Sequence, residues 1–94
     1  MEKFQVIYHP RVLREDLPKL DRVVGERIAS AIEKKLLVDP LHFSYPLRKT
    51  LYGLFKLRVG NYRVIFAFQS QRTLYIVGIQ HRSIVYKEIT KRVE

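Results

Sequence analysis

The sequence predicts an α+β fold in the order β-α-α-β-β-β, followed by a short C-terminal helix or a tail. Three observations carry this reading: a β-prone run ahead of two helical stretches, a two-strand hairpin about Gly60-Asn61, and a further strand behind it. At 94 residues the chain has the length of one domain, and residues 1–94 are read as one unit. A chain this short buries only about two-thirds of the surface its unfolded form exposes, so one modest core is expected. With 47% hydrophobic and 29% charged residues, the composition is that of an ordinary globular protein.

Residues 3–8 (KFQVIY) form a short β-prone run that stops at His9-Pro10, the first predicted strand. Pro10 suits the first turn of a helix, so residues 11–17 are predicted helical until Pro18 interrupts them. Asp21 is placed to cap a longer helix, whose apolar residues Val24, Ile28, Ala31, Ile32 and Leu36 recur at three- and four-residue steps. Arg22, Glu26, Glu33 and Lys34 fall largely elsewhere, and the stripe predicts a helix seated on a sheet and ending near Asp39-Pro40. Residues 41–53 have no clear period and read as a connecting loop.

The second half carries the stronger signals. Residues 55–59 (FKLRV) alternate apolar and basic, Gly60-Asn61 follows, and residues 62–68 (YRVIFAF) form a second β-run. Glycine at the first central position suits a type II′ turn, so the two runs are predicted to pair as a hairpin. If Val59 pairs with Tyr62, Arg58 lies opposite Arg63 and Lys56 opposite Ile65, all on the face away from Leu57, Val59, Val64 and Phe66. Like charges directly opposite are unfavourable, so placing two arginines side by side gives up stability to concentrate charge, as an anion site does. Gln69 to Arg72 read as a turn and residues 73–80 (TLYIVGIQ) as the last strand, ended by His81-Arg82. Residues 83–93 read as a short helix or a tail, with Ser83 as a candidate cap.

The charge is unevenly placed. The chain carries 18 Lys and Arg against 9 Asp and Glu, yet from Pro40 to Lys87 there is no acid. Arg48, Lys49, Lys56, Arg58, Arg63, Arg72, Arg82 and Lys87 all fall in that stretch, so nearly the whole excess lies in the predicted sheet. A surface made basic for solubility normally mixes signs. A one-signed field instead attracts a polyanion, nucleic acid first and an acidic protein segment second.

Several chemistries are excluded. Without cysteine there is no disulfide, thiol nucleophile or thiolate metal site, which fits a reducing compartment. His9, His42 and His81 lack the spacing of a local metal motif, and four scattered glycines make no phosphate loop, so no metal and no small-molecule cofactor is expected. Residues 1–6 (MEKFQV) lack the apolar stretch of a signal peptide, and no run nears the ~20 apolar residues of a bilayer span, so a cytoplasmic protein is expected. What remains is Lys56, Arg58, Arg63, His81, Arg82 and Tyr86, groups able to hold a phosphate and move a proton. That suffices for RNA cleavage by the adjacent 2′-hydroxyl, where fixed cations favour the dianionic phosphorane over the ground state.

Residues 57–66 (LRVGNYRVIF), then His81-Arg82 and Val85-Tyr86, resemble the toxins of the RelE/ParE superfamily. Their pattern is approximately R-x-G-x-Y-R-hydrophobic, a strand, then H-R-x-x-hydrophobic-Y. The resemblance implies an antiparallel sheet of about four strands packed on an N-terminal helical hairpin. For the RelE branch it implies a type II toxin, a metal-independent endoribonuclease that cuts messenger RNA in the ribosomal A site and so inhibits translation. It also implies a cognate antitoxin that covers the basic surface.

By the same resemblance, Arg63 matches the arginine set at the scissile phosphate, Lys56 a strand lysine that activates the attacking hydroxyl or stabilises the phosphorane, and Arg58 its neighbouring arginine. Exposed basic residues with snorkelling stems would look the same as Lys56 and Arg58. Tyr86 matches a tyrosine that stacks on or orients a base, though an aromatic closing the core edge fits the position too. His81 and Arg82 match a histidine-arginine pair, where His81 is either a proton donor to the leaving 5′-oxygen or a structural strand-end histidine. Arg48, Lys49, Arg72 and Lys87 are the candidate further RNA contacts.

The sequence also departs from the pattern. A second lysine found in some RelE toxins is replaced by Leu54, and a glutamate base used in other branches has no counterpart. ParE toxins share the fold and much of the hairpin motif but inhibit DNA gyrase by binding alone, and an inactive member that only binds antitoxin would keep the same segment. The joint presence of Lys56, Arg58, Arg63, Arg82 and Tyr86 favours the ribonuclease.

Overall fold

The computed structural model describes residues 3–93; Met1 and Glu2, the start of the N-terminal segment considered above, lie outside them. Strand β1 (Gln5–Tyr8) leads into α1, a wide helical turn over Val12–Asp16 and a tight one over Leu17–Lys19. The geometry changes at Pro18, which sits in the first turn of the second segment, as a residue without an N–H can. Helix α2 runs over Arg22–Ala31 and continues as a wide turn over Ile32–Leu36, where the Leu37 N–H bonds the Ile32 carbonyl at 3.0 Å. Asp21 caps it as the sequence predicts, accepting the Val24 N–H at 2.9 Å.

The stretch read as a loop is more ordered than its lack of period suggests. Pro40–Phe43 forms a single-turn helix, α3, with Pro40 at its start and Asp39 accepting the His42 N–H at 3.4 Å. Tyr45–Pro46 then adds a two-residue strand, β2, antiparallel to β3 (Phe55–Val59). Pro46 is tolerated because an edge strand needs no donor on its outer side. The sheet therefore has five strands and not four.

Strand β4 (Tyr62–Phe68) pairs with β3 in the predicted register, Val59 against Tyr62, Arg58 against Arg63 and Lys56 against Ile65. Gly60 takes a φ of 59°, the left-handed value that a type II′ turn asks of its first central residue. Strand β5 (Thr73–His81) lies antiparallel to β4 with a bulge at Ile65/Phe66, and the sheet order is β1-β5-β4-β3-β2. The sheet departs from the antiparallel pattern at one edge, where β1 runs parallel to β5, Gln5 opposite Thr73 and Tyr8 opposite Ile76. The helical crossover between β1 and the later strands permits this, since parallel neighbours need a long connection.

Both faces of the sheet are covered, unequally. On one face α1 and α2 bury Val12, Ile28, Ile32 and Leu36 against Leu57, Val64, Phe66 and Ile79, with Phe55 stacked on Phe66 and Phe68 edge-on to it. On the other, residues left as helix or tail form helix α4 (Val85–Val93), which packs Val85 and Ile89 on Ile65 and Val77. Gly78 makes this approach possible, because a Cβ there would overlap Ile89 Cδ1.

Candidate nucleic-acid interface

The β3–β4 hairpin sets the site. Leu57 and Val64 face α2, so period-two alternation sends Lys56, Arg58 and Arg63 to the α4 side. The apolar part of that side lies beneath α4, and the end toward Gly60-Asn61 stays open.

Tyr86 projects from the first turn of α4, and the Lys56 ammonium sits 5.7 Å from the centre of its ring. The two residues, 30 positions apart, are thereby joined in one cation–π contact, which leaves the Lys56 donors free for an anion. Tyr86 is half-buried against the smaller core, so it closes the core edge and flanks Lys56 at once. Arg58 is exposed, and its guanidinium lies 4.7 Å from the ring centre of Tyr45. Because Tyr45 pairs with Lys56, Arg58 is its diagonal neighbour across β2 and β3. Sequence reading missed Tyr45, since a two-residue strand is too short for a period and becomes visible only through its partner.

The half-buried Arg63 side chain is held by the hairpin turn. Its Nη1 donates to the Gly60 carbonyl at 3.0 Å and the Tyr62 carbonyl at 2.8 Å, folding it against the hairpin turn. One prong of the guanidinium is thus fixed, while Nε and Nη2 remain for an outside acceptor. Preorganising a cation in this way lowers the entropy lost when it meets a phosphate. Arg82 is exposed at the same end, where its N–H donates to the Asn61 carbonyl at 2.8 Å.

The structure does not bring every predicted residue to this site. His81 pairs with Tyr62, one step out of phase with Gln80 and Arg63, so it faces the α1 side. Its ring lies 5.4 Å from that of Tyr62, and Nδ1 accepts the Ser83 N–H at 3.1 Å and lies 2.8 Å from the Ser83 hydroxyl. A small cavity of about 110 Å³ there is lined by Asp16, Lys19, Tyr62 and His81, apart from the Lys56 group. His81 thus lies on the opposite face from the Lys56 group, and Ser83 bonds the His81 ring instead of capping α4, which begins at Val85. Arg72 stacks 5.0 Å from the Phe4 ring at the other end of β5, roughly 30 Å along a nine-residue strand from Arg82. Arg48 and Lys49 are exposed in the turn between β2 and β3, Lys49 with a left-handed φ of 57°, and Lys87 is exposed on α4 beside Tyr86. Among the described residues no group of three His, Asp or Glu could hold a metal ion, and no helix is long and apolar enough to cross a membrane.

A mostly antiparallel sheet backed by a helical pair and open at one basic, aromatic-flanked end is the frame of a small toxin. The family model described as ParE toxin of type II toxin-antitoxin system, parDE, matches residues 6–86, and this molecule is a toxin of the type II toxin–antitoxin class. The chain belongs to the RelE/ParE toxin superfamily. It is 31% identical over 75 residues to Toxin RelG of Mycobacterium tuberculosis, a span of 79% of this chain and 86% of that protein. A chain in the crystal structure of the RelBE2 toxin–antitoxin complex from Mycobacterium tuberculosis superposes with a TM-score of 0.77 at 28% identity, covering 85% of this chain and 99% of that one. An arginine-substituted mutant of the E. coli toxin RelE in the free state matches over 100% of both chains with a TM-score of 0.67 at 24% identity, a likeness of fold.

Proposed function

We propose that this toxin is a ribosome-dependent, metal-independent endoribonuclease that cuts messenger RNA in the cytoplasm and so stops translation. The observation that carries the reading is the gathering of Lys56 and Tyr86, with Arg58 and Arg63 on the same face, at the open end of a stretch without a single acid. In the reaction the 2′-oxygen bonds to phosphorus and loses its proton, while the bond to the 5′-oxygen breaks and that oxygen gains one. Arg63 and Arg58 stabilise the extra negative charge of the phosphorane; arginines stay protonated, so they cannot carry the proton. Lys56 and the Tyr86 hydroxyl are the groups of this face that can exchange one, and Arg82 anchors a neighbouring phosphate. Lys87, Arg48 and Lys49 extend the contact along the strand of RNA.

A co-encoded antitoxin is the natural silencer, supported by the likeness to a chain solved within a toxin–antitoxin complex, and an acidic segment that orders on the basic face would occlude the site. Its affinity falls as salt rises, because exposed charges are screened.

Incubation with programmed ribosomes, with messenger ends mapped and gyrase supercoiling assayed in parallel, tests the reading. Cleavage at the A-site codon with supercoiling unchanged is expected. The second reading, a gyrase inhibitor without nuclease activity, is favoured by the family model's ParE description, and it predicts the reverse pair of results.

A further inference from the structure

At the edge of β5 lies a buried ion pair that the site does not use. Arg92 Nη2 meets Asp16 Oδ1 at 2.6 Å and Arg92 Nη1 meets Oδ2 at 2.7 Å, with the two side chains 1% and 0% exposed. The partners are 76 residues apart, one on α1 and the other in the last turn of α4. Both also serve β5: Asp16 Oδ2 accepts the Ile79 N–H at 2.9 Å, and Arg92 Nη1 donates to the Val77 carbonyl at 2.9 Å. Strand β1 covers the β5 edge only as far as Ile76, and the pair satisfies the backbone groups beyond it. The carboxylate and guanidinium thus take the place of a longer β1.

Stability does not explain this arrangement, because a buried ion pair is often no better than two apolar residues of the same volume. A two-pronged contact adds direction, fixing the rotation and height of the element that carries it. Helix α4 needs such fixing. At nine residues it is shorter than the ~12–15 that hold a helix in water, so it exists only as docked. Its docking has two parts, the Val85 and Ile89 side chains in the core and the Arg92 fork at the far end, and Tyr86 sits on the same helix.

The geometry points to Asp16 and Arg92 as positioning residues for cleavage: the pair pins α4 to β5 and thereby sets the Tyr86 ring against Lys56. This rests on the ribonuclease reading for its effect on rate, whereas the pinning itself does not.

The test measures cleavage on programmed ribosomes and amide hydrogen exchange in α4 for Asp16→Asn, Arg92→Lys, Tyr86→Ala, the double Asp16→Asn/Tyr86→Ala and the double Asp16→Asn/Arg92→Gln. Asp16→Asn keeps an acceptor for the Ile79 N–H but strands the guanidinium. Faster exchange confined to α4 is expected, with kcat lowered roughly tenfold to 10²-fold and KM unchanged, as for a reacting group displaced by about an ångström. In the Tyr86→Ala background the same change should cost no further rate, since residues acting through one another are not additive. The neutral Asn-Gln pair removes the stranded charge but still lacks the fork, so exchange and rate should stay impaired. Rate losses that multiply in the Asp16→Asn/Tyr86→Ala double, or α4 amides that stay protected in both Asp16→Asn and Arg92→Lys, would overturn the proposal. If the wild type leaves messenger intact, the ribonuclease reading fails, and the exchange measurement alone decides the pinning. Should Asp16→Asn fail to fold, Arg92→Lys, which keeps the charge and loses the fork, carries the same comparisons.

Discussion

The two faces of the sheet are made by the same strands and have different work. Under α1 and α2, β3 to β5 contribute Leu57, Val64, Phe66, Leu74, Ile76 and Ile79 to the larger core. Under α4 the same strands contribute Ile65 and Val77, and beyond them Lys56, Arg58 and Arg63. The second face gives up apolar burial at its open end and carries the Lys56–Tyr86 and Arg58–Tyr45 contacts there, while the Asp16–Arg92 pair ties the helix above it to α1. The contrast teaches that a small toxin can hold one face for stability and leave the other half-covered for charge, because the alternation of a strand keeps the two apart residue by residue.

The comparison breaks first if the helical-pair face proves dispensable. Phe66→Ala removes a fully buried ring that stacks on Phe55 and meets Phe68 edge to face, and should cost about 3–5 kcal/mol in denaturant unfolding. Against a total stability of about 5–15 kcal/mol, that removes a large share of the margin.

Gly78→Val addresses the other face. The added side chain meets Ile89 and lifts α4, so a loss of about 1–3 kcal/mol is expected, with a larger fall in messenger cleavage as Tyr86 moves away. Lowered melting with normal cleavage would show that α4 carries only stability.

The smallest effect expected is one of pH. Burial, with Arg92, Arg11 and Arg14 nearby, holds the His9 imidazole below its ordinary range, and its Nδ1 accepts the Arg11 N–H at 3.0 Å. The folded protein therefore favours neutral His9, whereas the unfolded chain protonates at about 6.5. This contribution is fully present above that pH and is lost as the pH falls from there through the lower folded value. His9→Asn, which keeps an acceptor for Arg11, should flatten the slope of stability against pH below about 6.5.

Local signals made much of this legible. Gly60-Asn61 between alternating runs set the hairpin register and with it the face of Lys56, Arg58 and Arg63, and the three- and four-residue spacing from Val24 to Leu36 identified the α2 core stripe. What escaped depended on pairings between distant segments. No local pattern gives the direction of β1, the two residues of β2, or the meeting of Asp16 with Arg92. The face of His81 escaped for the same reason, because it follows from the register of β5 on β4, which no tight turn fixes. Residues 83–93 read as either a short helix or a tail, with no sign of what they would pack against, so the covering of Ile65 became visible only with α4 in place.

The central claim is that the half-covered face cuts RNA with Arg63 at its centre. Cleavage by wild type and Arg63→Ala on programmed ribosomes, with melting recorded on the same preparations, tests it most directly. Loss of the two turn hydrogen bonds should cost about 1 kcal/mol, a melting shift of roughly 4–8 °C, while cleavage falls about 10²–10³-fold. Undiminished cleavage by the folded variant, or a wild type that blocks gyrase supercoiling and leaves messenger intact, would contradict the account.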